Sequence, residues 1–140
     1  MEDLPSGTVT LLFTDVEGST LLVQELGAGY QFALEGHRQI LRDAVASYAG
    51  REVDCRVDEF LACFPRASDG LAAAIAAQLA LASQGSQLRV RMGLHTGEPE
   101  LVGGAYIGID VNRAARICSA GHGGQILVSQ TIRDLVSSDV

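Results

Sequence analysis

The chain has 140 residues, the size of one domain, and its 47% hydrophobic and 19% charged residues suit a packed core rather than wholesale disorder. Ten basic residues stand against 17 acidic ones, a formal net charge of −7, which excludes a general binder of nucleic acid or anionic membrane. All ten are arginine, so chemistry that depends on lysine, such as a Schiff base or a P-loop, is excluded as well.

Cys55, Cys63 and Cys118 form no CxxC pair and read as free thiols in a reducing cytosol. The N-terminal Met1-Glu2-Asp3-Leu4-Pro5 carries acid where a signal peptide carries base, and no apolar h-region follows. The most apolar stretch, Leu71 to Ala82, is mostly alanine and interrupted by Gln78, so it does not span a bilayer. The expectation is a single cytoplasmic domain over 1–140 with no membrane partner.

Thr8 to Thr14 is a short β-branched and apolar run ending at Asp15 and predicts a buried strand. Glu17-Gly18-Ser19-Thr20 then precede Leu21, Leu22 and Leu26, acidic and hydroxyl residues ahead of an apolar periodic segment, which predicts a helix start. A second helix is predicted from about Tyr30 to Tyr48, with Leu34, Leu41, Val45 and Tyr48 on one face and Gly50 as its stop. Arg51 to Phe64 divides into two strands around Val57-Asp58-Glu59, a hairpin with Asp58 near its tip but without an Asn-Gly or Asp-Gly turn. Ala67 to Ser83 predicts a helix packed on the sheet, with Leu71, Ile75 and Leu79 at i, i+4, i+8. Leu88 to Thr96 predicts a strand, Asp110 to Ser119 a helix, and Gln125 to Val128 a short strand. Ser129 to Val136 predicts a last helix with Ser129 as N-cap. Helices interleave with a partly antiparallel sheet, which indicates an α+β sandwich.

Three segments carry side chains suited to phosphoryl chemistry. Asp15 sits at the carboxyl end of a strand directly before a helix N-terminus, where unpaired N–H groups and the positive dipole end suit a phosphate. There Asp15 could hold the Mg²⁺ of a triphosphate; alone, it reads as well as a helix cap. Asp58 at the hairpin tip lies on a neighbour of the first strand, and two converging carboxylates call for a cation; alone, it reads as a turn-former. Asn112 and Arg116 stand at i, i+4 on one helical face, an arginine for a charged transition state beside an amide for a ribose oxygen, or else an exposed polar stripe.

Taken together, FTDVEGST, GREVDCRVDEFLACF, MGLHTGEPE and YIGIDVNRAARICSAGHGGQILVS resemble, in order and spacing, the class III nucleotidyl cyclase catalytic domain of the actinobacterial type. The similarity runs from Gly7 to about Val136. It implies a ferredoxin-like, palm-like α+β sandwich with a mixed, mostly antiparallel sheet. It further implies that Asp15 and Asp58 bind metal, two Mg²⁺ or Mn²⁺ per site, with the backbone carbonyl of Val16 as a further ligand. Glu17, Gly18, Ser19 and Thr20 would wrap the triphosphate, and Asn112 and Arg116 would stabilise the transition state. The reaction implied is ATP to cyclic AMP and pyrophosphate in intracellular signalling, with GTP as the alternative substrate. The resemblance also implies a site shared by a head-to-tail homodimer, with fused or associated regulatory domains.

Departures from the family pattern suggest the competing reading of a degenerate module that dimerises or senses nucleotide without turnover. Asp54 stands where adenylate cyclases carry a purine-selecting lysine, and Ala105 where a partner reads the adenine amino group. Val57 and Glu59 replace the glycines flanking the second metal aspartate, and valine is ill-suited to positive φ. The chain also ends at Val140, short of the family's C-terminal strands and their triphosphate-binding lysine. His95 reads as structural, His37 as a helix-surface residue, and His122 with Gly121, Gly123 and Gly124 as a plain loop. Val57-Asp58-Glu59-Phe60 echoes the GGDEF signature of diguanylate cyclases without its glycines.

Overall fold

The computed structural model describes residues 4–138, so the acidic start at Met1, Glu2 and Asp3 and the end at Val140 lie outside the described residues. The elements in chain order are β1 (Val9–Val16), α1 (Ser19–Leu26), α2 (Gly29–Ser47), β2 (Arg51–Arg56), β3 (Glu59–Phe64) and α3 (Ala67–Ser83). They continue with β4 (Val90–Gly97), β5 (Glu100–Val102), β6 (Ala105–Ile107), α4 (Ile109–Ser119), β7 (Ile126–Val128) and α5 (Gln130–Ser137). Five strands form one sheet in the order β2-β3-β1-β4-β7. Its pairings are antiparallel except for the parallel β4–β7 pair. The architecture is the mixed, mostly antiparallel α+β sandwich expected.

The central strand explains its own composition. β1 is paired on both edges and covered on both faces, so Val9, Leu11, Leu12 and Val16 are all buried and its apolar run is nearly continuous. On one face Leu12 and Val16 pack with Leu34, Leu41, Phe60, Phe64, Met92 and Leu94 beneath α1, α2, α3 and α5. On the other, Val9 and Leu11 pack with Leu61, Cys63, Tyr106 and Ala114 beneath α4 and the β5–β6 hairpin. Strand alternation puts Asp15 on this second face, in line with Val9, Leu11 and Phe13.

Several local expectations are corrected. The buried side of α3 is its small-residue side, Gly70, Ala73, Ala74 and Ala77 with Leu81, whereas Ile75 and Leu79 are exposed. Small side chains let the helix backbone lie close to the sheet and α2, and that proximity outweighs the larger aliphatics. Gly18, in the left-handed region at φ 67°, is the N-cap of α1, and no side chain caps this end, so Ser19 and Thr20 fall inside the helix. His37 is buried on the inner face of α2, with its Nδ1 2.7 Å from the Leu34 carbonyl. Val57 does adopt a left-handed conformation, at φ 52°. The β5–β6 hairpin is an element that the sequence reading left out. Ser129 caps α5 as expected, its Oγ accepting from the Ile132 N–H at 3.3 Å. No helix among the described residues is long and apolar enough to cross a membrane.

Candidate active site

β1 and β4 run side by side with Asp15 opposite Arg91, and this register builds one end of the site. Arg91 Nε and Nη2 donate to Asp15 Oδ1 and Oδ2, both at 2.6 Å, a planar two-pronged pair. Asp15 is 8% exposed, so its carboxylate is shielded and its charge is met by one guanidinium. Hydrogen bonding to Asp15 pushes the Arg91 guanidinium further up from its ordinary range. The sequence reading did not single out Arg91; the available signal was an arginine opposite Asp15 once two strands were aligned antiparallel.

The second carboxylate arrives from the opposite side of β1. β3 pairs with β1, which places the β2–β3 turn beside the end of β1, and Asp58 Oδ2 accepts from the Val16 N–H at 3.3 Å. Asp58 is thus tied to the backbone of the residue that follows Asp15, while the Asp15 carboxylate itself turns to Arg91 on the β4 side. Cys118 of α4 lies on the same side, its Sγ donating to the Arg91 carbonyl at 3.3 Å. Burial, followed by the charge of Asp15, pushes this thiol up to about 12.

Glu17 does not face outward from the turn. Its N–H donates to the Arg89 carbonyl at 2.8 Å, and its Oε2 accepts from the Gly123 N–H at 3.2 Å. His122 Nδ1 lies 3.6 Å from the same oxygen. The glycine-rich loop is thus strapped to β1 by Glu17 and makes no phosphate cradle of its own. Gly18, Ser19 and Thr20 form the uncapped start of α1 beside it, where backbone N–H groups offer an anion site.

By donor chemistry alone the residues at Val16 suit a divalent cation, although both Asp15 oxygens are held by Arg91, which the cation would have to displace. Two carboxylates and a backbone carbonyl are hard oxygen donors of the kind Mg²⁺ and Mn²⁺ take. No cluster of three or more His, Cys, Asp or Glu side chains occurs among the described residues. A bound cation would therefore need oxygens from water or a substrate's phosphates, which is the usual habit of Mg²⁺.

The remaining candidates lie on α4 and around the β5–β6 hairpin. Asn112 and Arg116 line one concavity of about 520 Å³ with Gly108, Ile109 and Arg113, and neither Asp15 nor Asp58 borders it. Both side chains are exposed. α4 itself is rigidly seated. His95 Nε2 lies 2.9 Å from Asp110 Oδ1, and the Glu98 N–H donates to Asp110 Oδ2 at 3.0 Å. Burial raises the Asp110 carboxyl, but His95, the Glu98 amide and Arg113 together outweigh it and hold the group below its ordinary value. At Gly93 an added Cβ would strike the α4 backbone at Cys118 and at the Ala114 carbonyl, so only glycine permits this approach. His95 is structural in this arrangement, as expected.

Asp54 and Ala105 border a common cavity of about 400 Å³, together with Phe13, Arg56, Phe60 and Tyr106. Arg56 Nε lies 2.8 Å from Asp54 Oδ2. The two positions that the resemblance assigns to base recognition are thus brought together, with a carboxylate where lysine is usual.

Comparison with known proteins accords with this geometry. Residues 1–139 match the family described as the adenylate and guanylate cyclase catalytic domain. An uncharacterised protein of Mycobacterium tuberculosis is 38% identical over 135 residues, covering 95% of this chain and 46% of that protein. An adenylate cyclase of Mycosarcoma maydis is 34% identical over 157 residues, covering 91% of this chain and 6% of that protein. Among solved structures, an adenylate cyclase from Trypanosoma brucei in its monomeric state superposes with a TM-score of 0.86 at 24% identity, covering 99% of this chain and 81% of that one. The chain spans about half the length of the mycobacterial relatives it matches. On its fold and on a family match along almost its whole length, the chain belongs to the adenylate and guanylate cyclase catalytic domains.

Proposed function

We propose that this domain converts ATP to 3′,5′-cyclic AMP and pyrophosphate at a site completed by a second copy of the chain. The observation that carries the reading is the division of the candidate residues. Asp15 precedes Val16 on β1 and Asp58 is bonded to the Val16 N–H, while Asn112 and Arg116 open onto a different concavity. A head-to-tail homodimer would bring the first set of one chain to the second set of the other.

In this reading Asp15, Asp58 and the Val16 carbonyl would hold Mg²⁺ or Mn²⁺, which would supply neutralisation of the phosphate charge. The uncapped start of α1 at Gly18, Ser19 and Thr20 receives triphosphate oxygens through its N–H groups. The ribose 3′-hydroxyl attacks the α-phosphorus in line as pyrophosphate leaves. Arg116 of the partner copy donates to the phosphoryl oxygens, and Asn112 orients the ribose. The base lies against Phe13, Asp54 and Ala105. ATP is assigned because the Mycosarcoma maydis relative is an adenylate cyclase; GTP is the alternative. The mycobacterial relatives are about twice as long, which leaves room for attached regulatory regions, and a cyclic nucleotide product would suit a role in intracellular signalling.

A second reading has its own support. Asp15 is neutralised by Arg91, Asp54 is paired with Arg56, and lysine is absent from the chain, as in a module that binds nucleotide and dimerises without turnover. One assay separates the two. With Mn²⁺ and either ATP or GTP, the cyclase reading expects cyclic nucleotide from the parent chain and none from Asp58→Ala. Equal background from both proteins would overturn the cyclase reading, and nucleotide binding with dimerisation by the same proteins would then carry the second.

A further inference from the structure

The turn that presents Asp58 is built against its own sequence. Val57 sits at φ 52°, where a β-branched side chain is an outlier and glycine is at ease. Such a conformation is strained and persists only where surrounding structure enforces it. Two contacts do so here. On one side, Asp58 Oδ2 accepts from the Val16 N–H of β1. On the other, Arg38 reaches across from α2, nineteen positions earlier in the chain, and its Nη2 donates to the Val57 carbonyl at 2.5 Å. Arg38 is itself braced, since its Nη1 donates to Glu35 Oε1 at 2.6 Å and its side chain is only 18% exposed.

The other polar groups of α2 in this neighbourhood offer no substitute. The Tyr30 hydroxyl and His37 Nε2 are buried and make no hydrogen bond among the described residues. Among the described residues, Arg38 is the side chain of α2 that hydrogen-bonds to the backbone of the turn. We propose that Arg38 is a positioning residue, which holds the Val57–Asp58 turn in its left-handed form and so keeps the Asp58 carboxylate at Val16, in place of the conformational freedom a glycine would provide. The inference rests on the reading of Asp58 as a metal ligand. A guanidinium suits the task because its planar fork can grip a carbonyl and a carboxylate at once.

The test is Mn²⁺ binding, read from the EPR signal of free Mn²⁺ in the presence of an unreactive α,β-methylene analogue of ATP. Five proteins are compared: the parent chain, R38M, V57G, the double variant R38M/V57G, and D58N. The expected result is about tenfold weaker Mn²⁺ binding by R38M, in the range seen when the support of a metal ligand is removed. V57G should bind as the parent does, and R38M/V57G should return to the parent value, because glycine holds the turn unaided. Parent-like binding by R38M, or equal weakness of R38M and R38M/V57G, would overturn the proposal. D58N separates the two levels of the argument. If D58N binds like the parent, the metal reading of Asp58 fails and the Arg38 proposal with it; if D58N is weak and R38M is not, only the latter fails. Should R38M not fold, a folded R38M/V57G with parent affinity supports the proposal. An unfolded double variant assigns Arg38 to general packing and overturns it.

Discussion

At the end of β1 the carboxylate of Asp15 is buried and gripped by Arg91, and Asp58 is hydrogen-bonded to the backbone of Val16. On α4, by contrast, Asn112 and Arg116 stand exposed, with no side-chain hydrogen bond or ion pair among the described residues. Both sets are polar and both belong to the site proposed, yet only the first is satisfied within one chain. The difference teaches that Asp15 and Asp58 have partners within the chain, whereas Asn112 and Arg116 are left open to something outside it. A buried charge left alone is costly, so the first region had to be paired internally. An exposed arginine is solvated and can wait.

Substitutions can break this contrast, and the largest effect is expected at Asp15. Asp15→Asn should lower cyclic nucleotide production by roughly 10³-fold or more, the rate equivalent of several kcal/mol of lost charge stabilisation. It should also reduce stability by roughly 2 kcal/mol in denaturant unfolding, because the two charge-assisted bonds to Arg91 are weakened. Arg116→Ala should lower turnover by about 10²–10³-fold. Its stability should stay within about 0.5 kcal/mol of the parent, since the exposed side chain makes no hydrogen bond or ion pair among the described residues. A clear loss of stability in Arg116→Ala would break the contrast.

Smaller effects sharpen it. Gly93→Ala forces α4 away from β4 and should cost about 1–3 kcal/mol in denaturant unfolding, with turnover falling as Asn112 and Arg116 are displaced. The smallest effect concerns His37, whose imidazole burial holds below its ordinary 6.5. The unfolded chain then takes up the proton more readily than the folded one. The stability of the neutral form is complete above 6.5 and declines as pH falls below it. Thermal melts across this window should show that slope in the parent and a shallower one in His37→Leu. A slope unchanged by the substitution would remove His37 from the account.

Much of this was legible in sequence because the informative residues lie within continuous segments. Asp15 follows directly on the strand that buries it, and Asn112 and Arg116 share a helical face through i, i+4 spacing alone. What was not legible depended on contacts between distant segments. The Asp15–Arg91 pair joins residues 76 positions apart, and only the β1–β4 register brings them together. The buried face of α3 was misread because periodicity weights the large residues Ile75 and Leu79, while close packing selected alanine. The β5–β6 hairpin was overlooked although its turn, Gly103-Gly104 with φ 58° and 81°, carries a recognisable two-residue signal. Val57 looked unfit for positive φ, and the brace that makes it fit comes from another helix.

The central claim is that one chain holds two complementary halves of a site. Mixing Asp15→Asn with Arg116→Ala tests it most directly, because a head-to-tail heterodimer of the two retains one unmodified site built from Arg116 of the first variant and Asp15 of the second. The account predicts that each variant alone is nearly inactive with ATP and Mn²⁺, and that the mixture regains a substantial fraction of the parent's cyclic AMP production. A mixture no more active than the sum of its parts, from variants that fold and associate, would contradict it.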